Sequence, residues 1–422
     1  MRVSVISLGC AKNLVDTEVL LGGLVGSGVE ITPDVDSADV VIVNTCGFIE
    51  DAKRESVETI LDLVEEGKRV LVMGCLVERY REELIKEIPE VEAYFGTQSW
   101  DEVLKHLGLE PKYYPFRVLT TPGSYAYVKI SEGCNRLCSF CAIPRIRGRH
   151  RSRPVEEIVD EVKRLADLGV KEINIVSQDT TYYGRDLYGR CGLVDLLREI
   201  EKVDGIEWIR LLYLYPTEVG DDLLDFIAGS EKVLPYLDIP IQHISTGVLR
   251  SMRRGYDEGF VRNMVERIRE KVPGAVLRTT LIVGYPTETE GDFKRLLNFL
   301  EEGHFFWAGV FTYSREEGTH AYDLGDPVPA EVKEERKETL LSVQRKITSR
   351  KNRDLIGKRL RVLIDGFSEE FTTVPKGRAY IHAPEVDGSV YLDNESGDIR
   401  PGDLVEVEIT QASEYDLGGR VV

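Results

Sequence analysis

Between residues 125 and 350 the chain repeats one pattern six times: a short β-branched run, then a stretch of helical periodicity. The runs lie at 125–131, 171–177, 207–214, 236–241, 276–283 and 306–313. In "PVEEIVDEVKRLADLG" the residues Val155, Ile158, Val159, Val162 and Leu165 share one helical face, behind a proline start and before a glycine stop. Strand–helix alternation predicts parallel strands, because each helix must carry the chain back across the sheet. Six units are too few for a closed eight-stranded barrel. The expectation is therefore a curved, open six-stranded (β/α) barrel.

The flanks read differently. Up to about residue 110, "RVSVISLGC", "DVVIVNTC" and "RVLVMGC" are apolar runs of the kind buried on both faces of a parallel sheet. Helical stretches near 13–27 and 50–66 separate them, which predicts an α/β, doubly wound parallel sheet. "PKYYPFRVLTTPGS" at 111–124 has no period and reads as a linker. A charged helix over 331–353 leads to "RLRVLIDGF", "GRAYIHA", "GSVYLD", "DLVEVEIT" and "GGRVV", short strands that predict a small five-stranded antiparallel β-barrel. The expected domains are thus 1–110, 125–350 and 351–422, with 111–124 between the first two.

No apolar run approaches the roughly 18 residues of a membrane span. "MRVSVISLGCAKN" lacks the apolar core and cleavage site of a signal peptide, so the cytoplasm is expected. Thiols stay reduced there, and the seven cysteines are read as metal ligands or catalytic groups rather than disulfides. The net charge of −19 argues against long-range attraction to nucleic acid and suits a basic protein partner.

Cys134, Cys138 and Cys141 form the pattern C-x3-C-x2-C, just after the first strand of the six-unit region. Loops at that edge carry the chemistry of βα barrels. Electron-carrying clusters and structural zinc sites take four protein ligands. Three thiolates leave one metal position open to a substrate. A zinc knuckle with His150 as fourth ligand is the other reading of this stretch. Cys10, Cys46 and Cys75 lie far apart in sequence, yet each closes a strand of the first region beside a glycine: Gly9, Gly47 and Gly74. Parallel strands end on one edge, where open α/β sheets bind ligands. Their convergence on a second three-thiolate centre is expected. Buried apolar cysteines are the alternative. Cys191 has no such setting and is read as structural.

The triad at 134–141, with Phe140 in the aromatic place and "IPRIRGRHRSRP" following, resembles the radical S-adenosylmethionine (SAM) enzymes. That resemblance implies a 4Fe–4S cluster whose open iron chelates SAM, and one-electron cleavage to a 5′-deoxyadenosyl radical. With the three N-terminal cysteines and the terminal β-barrel included, the whole chain resembles the radical SAM methylthiotransferases, and the last segment their TRAM domain, which grips the substrate. The family's reaction converts C–H to C–SCH3. One SAM supplies the radical and one the methyl, with an auxiliary 4Fe–4S cluster handling sulfur. By the same resemblance Gln178, Gln242 and Arg278 contact SAM, and Gly284 lets the backbone approach adenine. His243 is read as a hydrogen-bonding residue rather than an acid or base. A low-potential electron donor such as flavodoxin or ferredoxin is implied. The sulfur donor is left open.

The family has a tRNA branch and a branch acting on the β-carbon of an aspartate in ribosomal protein S-twelve. "SLGCAKNLVDTE" and "NTCGFIEDAKRES" resemble the second. Residues 354–422 hold seven basic and fourteen acidic side chains. An RNA-gripping surface needs phosphate-neutralising cations, whereas an acidic one complements a basic ribosomal protein. The arginines at 145, 147, 149, 151 and 153 are too confined for a duplex footprint. They are read as holding anionic groups near the cluster loop or pairing with acids. Adenosine methylthiolation in tRNA, and a non-catalytic iron–sulfur or zinc protein, are the alternatives.

Overall fold

The computed structural model describes residues 1–110, 117–393 and 398–422. The start of the expected linker, 111–116, lies outside the described residues. Two compact units are present. The first comprises Met1–Thr120, Glu132–Arg151 and Ser314–Thr319; the second comprises Thr121–Ser131, Ser152–Tyr313 and His320–Val422.

The first unit is built on a five-stranded parallel sheet in the order Glu30–Ile31, Arg2–Ser7, Val40–Thr45, Val70–Gly74, Ala93–Phe95. The runs Val40–Val43 and Val70–Met73 are apolar because both faces of the sheet are covered. Val41, Val43, Val70 and Val72 pack against Ile60 and Leu63 of the helix Glu50–Glu65 on one side. Val40, Ile42, Leu71 and Met73 pack against Leu20, Leu24, Val103 and Leu104 on the other. Neighbouring residues face opposite layers, as the pleat requires. Each such side chain contributes roughly 1.5–3 kcal/mol on burial. Two strands, Glu30–Ile31 and Ala93–Phe95, were not expected. The segment 314–319 joins this unit through Glu316. Its buried carboxylate accepts from Arg79 at 2.7 Å and Ser314 at 2.6 Å and pairs with Lys53 at 3.2 Å.

The second unit holds the six expected strands: Tyr125–Lys129, Glu172–Val176, Trp208–Leu211, Val233–Asp238, Val276–Val283 and Trp307–Thr312. They form one parallel sheet in chain order, so it is open. The helix Val155–Asp167 buries Ile158, Val162 and Leu165, as its pattern predicts. The helix Ala330–Arg353 lies along the last strand, where Gln344 and Thr348 donate to the Phe306 carbonyl at 2.9 and 2.7 Å. No described helix is long and apolar enough to cross a membrane.

Residues 359–421 close a five-stranded barrel in the order Arg359–Phe367, Pro375–Ala379, Val390–Leu392, Leu417–Val421, Leu404–Ala412. One pair, Val390–Leu392 with Leu417–Val421, is parallel, so the barrel is not wholly antiparallel as expected. The strand expected through 383 stops at Ala379 because the next backbone groups are bonded elsewhere. Arg210 donates to the Tyr380 carbonyl at 2.7 Å and Trp307 to that of Ile381 at 2.6 Å. Tyr236 donates to Asp387 at 2.6 Å, and Glu172 bridges Arg210 and Arg378 at 2.8 and 2.5 Å. Glu172 and Trp307 open their strands, and Tyr236 lies level with Val276, the first residue of its neighbour. The 380–388 loop thus caps the edge opposite the carboxyl-terminal rim.

Candidate functional site

In the first unit the three strand-end cysteines converge. Cys10 caps the helix Ala11–Gly26, Cys46 follows Val40–Thr45, and Cys75 opens the helix Cys75–Glu87. Gly9, at φ 91°, lies so close that a Cβ there would stand 2.9 Å from the Cys46 sulfur. A Cβ on Gly47 would stand 2.7 Å from the Leu76 Cα and 2.8 Å from the Cys75 carbonyl oxygen. Each loop therefore touches the next. Buried amides lace them together: the Asn13 side chain donates to the carbonyls of Leu8, Asn44 and Thr45, and that of Asn44 donates back to the Asn13 carbonyl. Ser56 donates to the Cys46 carbonyl at 3.0 Å and accepts from its N–H at 3.1 Å.

The three thiols differ in charge preference. Burial pushes the Cys75 thiol up to about 12 and also raises that of Cys46. Loss of solvent opposes ionisation of Cys10. The Lys12 and Arg147 charges, with the N–H groups of Asn13 and Lys12, outweigh it and lower its pKa.

The segment 132–151 belongs to the same unit and brings Cys134, Cys138 and Cys141. The Cys134 N–H donates to the Gly148 carbonyl at 3.1 Å, and the Arg136 N–H donates to the Cys134 sulfur at 3.4 Å. The Cys141 N–H donates to the Cys138 carbonyl at 3.1 Å. Phe140 is half-buried. Ala142 and Ile146 pack with Cys75 in one apolar cluster. None of the seven cysteines is in a disulfide. Among the described residues no three Cys, His, Asp or Glu side chains are arranged to hold a single metal ion. An iron–sulfur cube holds its thiolates at separate corners, farther apart than the ligands of one ion. Soft thiols in two sets of three, with a guanidinium beside one set, fit such cubes in donor chemistry and in charge.

The arginines divide. Arg147 is buried and pairs with Asp16 and Glu132 at 2.9 and 3.0 Å. Arg145 lies against Gly318, and Arg151 donates to Gln98 at 3.3 Å. Arg153, in the second unit, donates to Glu161 and the Lys129 carbonyl. The sequence marked this run but did not single out Arg147.

In the second unit the rim carries unusual backbone. Gln242 follows the fourth strand at φ 67°, a region costly for a side chain with a Cβ. It is held there by its N–H, which donates to the Thr280 carbonyl at 2.9 Å, and its carbonyl, which accepts from the Ile282 N–H at 2.8 Å, while its buried Oε1 has no partner among the described residues. Tyr213, after the third strand, stands at φ 60°. It was not a sequence candidate, because the run 207–214 put it inside a strand that in fact stops at Leu211. Gln178 is half-buried beside Asp179, which accepts from Thr181 at 2.7 Å. Asn174, in the second strand, is fully buried, and its amide atoms have no partner among the described residues; no pattern in the sequence marked it. His243 accepts the Ser245 N–H at 2.9 Å on Nδ1 and faces Glu288 at 3.5 Å on Nε2, the hydrogen-bonding role expected.

Two expectations change. Arg278 is third in its strand, roughly 20 Å below Gly284 at about 3.3 Å per residue. There it donates to Asp238 at 3.0 Å and stands 3.5 Å from Asp387, so it is committed to the capped edge rather than the rim. Gly284 has φ 71°, but the space beside it is filled: a Cβ would meet Lys333 Cγ at 2.3 Å. The close approach there is to a lysine stem. Cys191, read as structural, is exposed, and its thiol donates to the Thr181 carbonyl at 3.3 Å.

Residues 128–300 match the radical SAM superfamily, residues 2–96 match "Uncharacterized protein family UPF0004", and residues 356–422 match the TRAM domain. The "Ribosomal protein uS12 methylthiotransferase RimO" of Aquifex aeolicus is 67% identical over 420 residues, covering 100% of this chain and 97% of that one. The protein of the same name from Sulfurihydrogenibium sp. is 49% identical and covers 99% of both chains. Among solved structures, the radical SAM methyltransferase TsrM of Kitasatospora setae aligns at TM-score 0.54 with 15% identity, over 74% of each chain. The cobalamin-dependent radical enzyme OxsB aligns at TM-score 0.52 with 13% identity, over 81% of this chain and 56% of that one. These two likenesses concern the fold.

Proposed function

The chain belongs to the RimO family of ribosomal protein uS12 methylthiotransferases, and on that premise we propose that it is a radical SAM transferase converting C–H to C–SCH3 at the β-carbon of an aspartate in uS12. The observation that carries the reading is the presence of two sets of three cysteines, none in a disulfide, in one compact unit. Cys134, Cys138 and Cys141 would hold the radical-generating 4Fe–4S cluster. Cys10, Cys46 and Cys75 would hold the sulfur-handling one. When bound, the clusters and SAM supply the electron, the hydrogen-abstracting 5′-deoxyadenosyl group, the sulfur and the methyl.

The chain's own part is to hold and to shield. Asn13, Asn44 and Ser56 fix the three strand-end loops, so the thiols keep their spacing. Arg147 offsets negative charge beside Cys75. Phe140, Gln178 and Gln242 remain the proposed SAM contacts, and the strained backbone of Gln242 supports its place among them. The ranges 1–110, 125–350 and 351–422 serve as the sulfur-handling, radical and substrate-meeting parts. The excess of acid in the last supports a basic protein substrate over tRNA. A low-potential flavodoxin or ferredoxin would deliver the electron. The cytoplasm, where ribosomes are made, would be the site of action.

The test is a pair of variants assayed with SAM and uS12. Cys134→Ala should stop SAM cleavage. Cys46→Ala should leave SAM cleavage intact and abolish the mass gain on uS12. Normal thiolation by Cys46→Ala overturns the assignment of the N-terminal thiols. A gel shift with bulk tRNA at physiological salt would instead revive the RNA reading.

A further inference from the structure

One side chain joins the two sets of thiols. Arg147 lies in the segment that carries Cys134, Cys138 and Cys141, yet its guanidinium is buried against the N-terminal strand ends, with a side chain 2% exposed. Nη1 donates to Asp16 at 2.9 Å and to the Glu132 carboxylate at 3.0 and 3.2 Å. Nη2 donates to Asn13 Oδ1 at 3.1 Å and to the Cys75 sulfur at 3.4 Å. The planar fork is thereby fixed on both sides, and the N–H aimed at sulfur cannot swing away.

We propose that Arg147 is a positioning residue that sets the reduction potential of the N-terminal cluster through its N–H···S bond to Cys75. This rests on the reading of Cys10, Cys46 and Cys75 as cluster ligands. Hydrogen bonds to cluster sulfurs and nearby positive charge stabilise the reduced, more negative form. Asp16 and Glu132 partly neutralise the guanidinium, so the field at Cys75 is a difference between opposed charges. Removing the N–H···S bond should make the cluster harder to reduce. Removing one acid while keeping the arginine should make it easier. The electron enters the cluster without making or breaking a bond, so no proton or leaving group is involved. Because the same segment carries the radical-cluster thiols, the bond also gives that segment a direct influence on the sulfur-handling centre.

The test uses the full-length chain with C134A, C138A and C141A, reconstituted anaerobically so that only the N-terminal cluster loads, and followed by EPR through a redox titration. About four irons per chain are expected there. Adding R147K keeps a cation for Asp16 and Glu132 but removes the fork. The ratio of reduced to oxidised cluster at a fixed potential should fall about tenfold, which is about 59 mV for a one-electron couple. Adding D16N instead should raise that ratio about threefold, by weakening the opposing charge. If both variants hold four irons and neither ratio moves, the tuning role is overturned and Arg147 is only an ion-pair partner. If R147K fails to take up iron, D16N decides alone: a rise supports the proposal and no change overturns it. If the parent three-cysteine variant binds no iron, the ligand reading itself fails, and the proposal with it.

Discussion

Asp387 offers a quantitative test of how the C-terminal barrel is seated on the parallel strands. Its carboxylate is 1% exposed, accepts from the Tyr236 hydroxyl at 2.6 Å and the Ala383 N–H at 2.8 Å, and stands 3.5 Å from Arg278. Burial pushes its pKa up to about 6, against the pull of Arg278, Tyr236, the Ala383 N–H and Arg210. The unfolded chain releases this proton near 3.8, so over the interval between the two values the native state holds a proton that the unfolded state has lost. By linkage, native stability is fully present below the unfolded value and declines as pH rises through the folded one. At about 1.36 kcal/mol per unit, the two values 3.8 and about 6 give a total loss of about 3 kcal/mol. Roughly 1.4 kcal/mol of it falls between about pH 5 and about pH 7.5. Asn at this position can accept from Tyr236 and Ala383 through its single carbonyl oxygen, as Asp387 does through Oδ2, but cannot ionise. The assay is urea unfolding of the metal-free chain across that interval, read by tryptophan fluorescence, to which Trp307 at the seam contributes with Trp100 and Trp208. D387N should lose the 1.4 kcal/mol decline relative to the parent, a tenfold change in the unfolding constant. Equal slopes for parent and variant would refute the argument, because another group would then own the titration.

Gly47→Ala should drive a methyl into the Cys75–Leu76 backbone, which cannot yield as a side-chain tip can. Iron after reconstitution should drop from about eight to about four per chain, measured by iron and sulfide analysis. Gln242→Gly should relieve the positive-φ strain and gain about 1 kcal/mol in urea unfolding, while weakening SAM binding measured by calorimetry. Tighter or unchanged SAM binding would remove Gln242 from the proposed site.

The strands were legible in the sequence for one reason. Runs such as Val40–Val43 and Val70–Met73 are covered on both sides, so no polar residue interrupts them. Glu30–Ile31 and Ala93–Phe95 escaped because two or three residues carry no period. The six thiols stood out by residue type and by position at strand ends. Arg147 did not, because a run of alternate arginines looks alike until the fold chooses which one is buried. Arg278 was misplaced although the run 276–283 already put it near the amino end of its strand, away from the carboxyl edge. The kinship of 132–151 with the N-terminal sheet is a tertiary fact, set by contacts such as Cys75 with Ala142 and Ile146.

Glu316 completes the first unit with a carboxylate that arrives late. During synthesis the ribosome must release about three quarters of the chain before Arg79 and Lys53 can meet their counter-charge. A nascent polypeptide halted at the end of the first sheet would carry Arg79 beside the Gly47 turn without its counter-charge, while Lys53 would keep only Glu50. Iron delivered at that moment would meet thiols whose scaffold is still unfinished. On the proposed reading of these thiols, a fragment ending near residue 120 is a poor vehicle for studying the N-terminal centre, since it lacks 132–151 and 314–319 of the same unit.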